Sequence, residues 1–198
     1  MLMRLSPRAA ADPALAAYLN EQLARVGALL DQLRRVSRDP DLADERAVLG
    51  DLRRQVAADR ATVRLAMRRL GAPHDWAVLG AGWATARAAR LLPLLHRMPV
   101  LDRIPSVPSA RQDAVQALLE LEDLLAGLHR RQVAARVLAD AVAAGAGPDG
   151  DWALAVRALP GRAEHQLRAA EELHRRRAAA LLPTRAAAAD PDARTVTP

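Results

Sequence analysis

Apolar residues recur along this chain at alternating steps of four and three, and that period fits one face of an α-helix and no strand. Leu15, Leu19, Leu23, Val26, Leu30 and Leu33 form the first stripe, and Leu49, Leu52, Val56, Asp59, Val63, Ala66 and Leu70 the second. No long segment shows the strict alternation of a half-buried strand. Composition agrees. Ala, Leu and Arg dominate, Phe and Cys are absent, Ile104 is the one isoleucine, and strong helix formers far outnumber β-branched and aromatic residues. The fold class expected is all-α, in one domain.

Punctuation divides the stripes into helices. Asp12-Pro13 and Asp39-Pro40 each read as an N-cap followed by Pro in the first turn, so helices should start at both. Gly71 and Pro73 close the second, and the short connection predicts an antiparallel pair. A thin third helix, from about His74 to Leu92, is rich in Gly and Ala, with Trp76 and Trp83 as its bulk. Pro93, Pro99, Pro105 and Pro108 mark a long connector. Ser109 with Gln112 reads as a capping box for a helix reaching about Ala144. A last helix, capped by Asp151 and reaching about Leu182, should kink or break at Pro160-Gly161. Residues 1–11 read as a flexible N-terminus, residues 12–182 as the bundle and residues 183–198 as a disordered tail.

Several classes of function are disfavoured. Without cysteine there is no disulfide, thiolate metal site or cysteine nucleophile. The first residues lack a signal-like apolar core, and the longest apolar run is too short to span a bilayer, so a cytoplasmic location is the expectation. A net charge of +6 permits acidic partners. However, the arginine pairs at 34–35, 53–54, 68–69 and 130–131 and the triplet at 175–177 are spread over several helices among Asp and Glu. Stacking aromatics are few. No specific nucleic-acid site is therefore expected. Gly80-Ala81-Gly82 lacks a third glycine and a βαβ setting, and close helix packing accounts for it better than a dinucleotide does. Ser6, Ser37, Ser106 and Ser109 sit at caps and loops, where their hydroxyls serve the backbone.

The segments YLNEQLA (Tyr18–Ala24), DRATVRLAMRRLG (Asp59–Gly71), Trp83 to Leu91 and Leu119-Glu120-Leu121-Glu122 give the chain a more specific likeness. In their order along the chain they resemble a ferritin-like helical-bundle family of high-GC bacteria. The resemblance implies two antiparallel hairpins joined by a long connector with an extra thin helix, and no established activity.

Ferritin-like di-iron sites take one Glu from each of two helices and Glu-x-x-His from each of the other two. Measured against that pattern, Glu21, Asp59, Glu122, Glu171 and His174 are the candidate metal ligands. Helix two offers only Asp59-x-x-Thr62, whereas Glu171-x-x-His174 is complete. With the last turn centred near Pro148, Glu122 should face His174. With the first centred near Arg38, Asp59 should face Tyr18 and accept a hydrogen bond from its hydroxyl. The plainer reading of these residues is a set of solvent-facing side chains in an Arg-rich bundle, forming ion pairs such as Glu171 with Arg175. The expected function is accordingly a non-catalytic bundle, without cofactor, that works through contact with another protein or as a homo-oligomer. The alternative is an iron- or manganese-dependent ferritin-like protein with a reduced carboxylate/histidine site.

Overall fold

A computed structural model describes residues 12–74, 109–145 and 150–181, and every regular element in them is helical. The helices are α1 (Pro13–Val36), α2 (Arg46–Leu70), α3 (Ser109–Ala143), α4 (Asp151–Arg157) and α5 (Leu159–Leu181), with a single 3-10 turn at Pro40–Leu42. The thin helix beyond His74, the connector, the N-terminus and the tail expected from the sequence lie outside the described residues.

The start signals act locally as expected, with two displacements. Asp12 caps α1, its side chain accepting from the Ala14 N–H at 2.8 Å, with Pro13 in the first turn. Asp39 does the same for Asp41 at 2.9 Å, but it caps the 3-10 turn, and α2 begins only at Arg46. The intervening turn drops Leu42 into the core, fully buried. Gly71, at φ 69° in the left-handed region that glycine tolerates, ends α2, and the Ala72 N–H reaches back to the Met67 carbonyl at 2.9 Å. The long last helix is broken, one of the two outcomes expected of Pro160-Gly161. It parts at Ala158, with Pro160 in the first turn of α5, where a missing N–H costs nothing. Asp151 is the first residue of α4, not its cap, which is Gly150.

α1 packs antiparallel to α2. Asn20, near the start of α1, donates to the Pro73 carbonyl beyond the end of α2 at 2.9 Å, while Arg46 at the start of α2 donates to the Ser37 carbonyl at 3.2 Å. α3 and α5 form a second antiparallel pair, and α1 lies against α3. Their approach is close at Gly127, where a Cβ would stand 3.0 Å from Leu29 Cδ1.

The apolar core falls into two clusters. One gathers Leu19, Leu23, Val63, Met67, Leu138, Trp152, Val156 and Leu159. The other gathers Val26, Leu33, Leu42, Leu49, Leu52, Leu121, Leu124, Leu128 and Leu173. Along α2 the boundary lies between Val56 and Val63, along α3 between Leu128 and Ala135, and along α5 between Ala163 and Ala170. Asp59, Arg131 and Gln166 occupy those three gaps.

Candidate functional site

Between the two apolar clusters sits a polar layer. Asp59 is 2% exposed, Gln166 is fully buried, and Arg131 is 8% exposed. Each stands in phase with the apolar stripe of its own helix, so helical geometry carries all three inward. Asp59 Oδ2 accepts from Arg131 Nη2 and, at 2.9 Å, from Gln166 Nε2. Its Oδ1 accepts from Arg162 Nε at 2.6 Å. Arg131 Nη1 also donates to Gln166 Oε1, which closes a ring of three side chains. Arg162 additionally donates through Nη2 to the Ala155 carbonyl at 3.3 Å, tying the cluster across the break between α4 and α5. Burial pushes the Arg131 guanidinium below its ordinary pKa, and the Asp59 carboxylate opposes that shift.

This arrangement corrects one expectation. Asp59 is buried and hydrogen-bonded, but its partners are Arg131, Arg162 and Gln166, not Tyr18. Charged donors from the other helix pair satisfy a buried carboxylate better than one neutral hydroxyl does. Tyr18 is instead half-buried beside the cluster. It lines, with Gln22, Asp59, Arg131 and Leu138, a cavity of about 30 Å³. Burial raises the Tyr18 hydroxyl pKa, and Arg25 acts in the opposite sense.

Of the five candidate ligands, Glu122 and His174 are brought together. His174 Nε2 lies 3.4 Å from Glu122 Oε1 on the outer surface of the α3–α5 pair, the facing expected from the sequence. Glu21 is half-buried on α1 and pairs with Arg25 at 2.9 Å. Glu171 is exposed on α5, and Arg175 pairs with Glu172 instead of with it. Asp59 is in the interior between two guanidinium groups. Among the described residues no three His, Asp or Glu side chains gather where they could hold one metal ion.

The arginine pairs divide by environment. Arg34 and Arg54 serve neighbouring aspartates on their own helices, and Arg177 bridges α5 to Glu45 at 2.9 Å. Arg25, Arg35 and Arg130, with Asp123 among them, border a groove of about 390 Å³ between α1 and α3. Among the described residues no helix is long and apolar enough to cross a membrane.

Sequence reasoning found Asp59 but missed Arg131, Gln166 and Arg162. The signal for the first two was present: Leu124, Leu128, Arg131, Ala135, Leu138 and Leu159, Ala163, Gln166, Ala170, Leu173 are apolar stripes with one polar member each. Asn20, 2% exposed, was missed for the same reason. Set against family models, curated proteins and solved structures, the chain matches none.

Proposed function

We propose that this protein is a non-catalytic, ferritin-like helical bundle that acts through contact with another protein or with itself. One observation carries the reading. Four large hydrophobic side chains are exposed among the described residues, and three of them, Val115, Val133 and Val137, belong to α3. They share one side of that helix, opposite Leu121, Leu124, Leu128 and Leu138, which face the core. Scattered exposed valines need no explanation, but three in phase along one face make a surface suited to being covered. The interior supports the same reading. At the layer where a metal-dependent bundle would place its carboxylates, Asp59 is held by Arg131 and Arg162, whose positive charges stand where cations would.

The test is a photo-crosslinking residue placed at Val137 in living cells, with Arg53, exposed on α2, as the control. Adducts heavier than the single chain are expected from position 137 and not from 53. No adduct at 137 would sink the contact reading. A metal-dependent protein, the alternative, is favoured by the Glu122–His174 pairing alone. It would take first place if freshly purified protein carried stoichiometric iron or manganese.

A further inference from the structure

The exposed face of α3 has an internal symmetry that names its partner. Val115, Leu119, Glu122, Ala126, Arg130, Val133 and Val137 form one stripe along the helix. Val115, Glu122, Ala126, Arg130, Val133 and Val137 are exposed and Leu119 is half-buried. When the stripe is laid antiparallel on a copy of itself, with Ala126 on the two-fold axis, every position meets a complementary one. Val115 meets Val137, Leu119 meets Val133, and Glu122 meets Arg130. Ala126 meets Ala126, where a small side chain lets two helices approach closely. A two-fold interface demands this self-complementarity of a single surface.

We infer that α3 is the interface of an antiparallel homodimer, centred on Ala126. The inference rests on the contact reading above and replaces its unspecified partner with a second copy of this chain. The contact runs from Val115 to Val137, roughly 33 Å at 1.5 Å per residue. Two equivalent Glu122–Arg130 pairs flank the central Ala126, and the apolar pairs close the contact at both ends. Glu122 engages His174 through Oε1, which leaves Oε2 to accept from the Arg130 of the second copy. A single helix-on-helix contact is at the small end of specific interfaces, so the dimer is concentration-dependent. A register centred instead near Ala135 also pairs charges, Arg130 with Asp140, but it leaves Val115 and Leu119 uncovered.

Sedimentation velocity on the full chain, across a wide concentration range, should show monomer converting to dimer. Val133→Glu with Val137→Glu should weaken dimerisation by more than about tenfold, with the helical circular dichroism unchanged. Charge swapping tests the register. Glu122→Arg alone and Arg130→Glu alone place like charges opposite each other, and each should be largely monomeric. Mixed together, the two variants should form a heterodimer, because each then meets its opposite. The cysteine-free chain allows one more check. Ala126→Cys should crosslink to itself on mild oxidation, and Ala144→Cys should not. A chain that stays monomeric at every concentration, while position 137 still crosslinks to a different protein, overturns self-pairing and keeps the contact reading. Loss of both overturns both. A dimer in which the mixed charge variants fail to recombine overturns this register.

Discussion

Arg131 on α3 donates to Oδ2 of Asp59 on α2, a contact that joins residues 72 positions apart and ties one helix pair to the other in the middle of the core. Desolvating two charges is costly, and their attraction repays the cost only because Gln166 and Arg162 complete the hydrogen bonding. The layer therefore fixes how the pairs sit against each other more than it adds stability. An apolar core alone would tolerate helices slid by a turn, whereas Asp59 finds its donors in one register.

Removing one member of the layer should be worse than removing the layer. Asp59→Ala leaves Arg131 buried without a counter-charge and should cost about 3–5 kcal/mol in urea unfolding. Asp59→Leu combined with Arg131→Met and Gln166→Leu replaces charges and amide by apolar groups together, and Arg162, 41% exposed, can turn to solvent. That triple variant should lose less than Asp59→Ala alone. A triple variant less stable than the single one would show that the layer is a net source of stability. Tyr18→Phe should couple to Asp59→Ala by less than about 0.5 kcal/mol, since the carboxylate's oxygens are already served.

Asn20 supports the far end of the first helix pair. Its Nδ2 donates to the Ala16 and Pro73 carbonyls, both at 2.9 Å. Asn20→Ala should cost on the order of 1–3 kcal/mol, because the Pro73 carbonyl loses its donor in a part-buried place. Native-state hydrogen exchange should locate the loss in the last turn of α2. Uniform loss of protection across all helices would argue against this local role.

Glu120 makes stability pH-dependent. Burial raises its carboxyl pKa above the ordinary value; Asp39 and Asp123 add to the shift, and Arg35 and a hydrogen bond from Gln116 oppose it. A raised folded-state pKa means that the folded chain takes up this proton more readily than the unfolded one. The contribution is thus fully present below the unfolded value and is lost as pH rises through the folded value. Glu120→Gln should raise the thermal midpoint at neutral pH, and the gain should shrink towards zero as the pH falls through that window. A gain that stays constant with pH would refute the assignment.

How far the sequence exposed this molecule follows from which interactions are periodic. The stripes of α1 and α2, the Gly71 stop and the Glu122–His174 juxtaposition follow from helical period and turn position, which are local quantities. The delay of α2 to Arg46 was hidden because Asp39-Pro40 starts a 3-10 turn with the same residues that start an α-helix. The partners of Asp59 were hidden for a different reason. The turn geometry of one helix pair predicts contacts within it, hence Tyr18, and is silent about the other pair, from which Arg131, Gln166 and Arg162 come. In a chain whose basic residues are all arginine, a single inward arginine is also difficult to tell from its solvated neighbours without checking its phase.

Metal binding is the prediction on which the functional reading turns. A two-metal centre needs several carboxylates to bridge the cations and histidines to complete their coordination. Here Asp59 is committed to Arg131 and Arg162, Glu21 answers Arg25, and Glu122 and His174 offer two donors on an open surface. Two donors alone hold a divalent ion weakly. Adding iron(II) or manganese(II) should therefore leave the thermal midpoint nearly unmoved, whereas an ion present at a hundred times its Kd would add about 2.7 kcal/mol. Glu122→Ala with His174→Ala should behave like the parent in this titration. A midpoint that rises with metal in the parent and not in that double variant would place a cation at the α3–α5 surface. It would also make the carboxylate–histidine pair, and not the outer face of α3, the place to look for function.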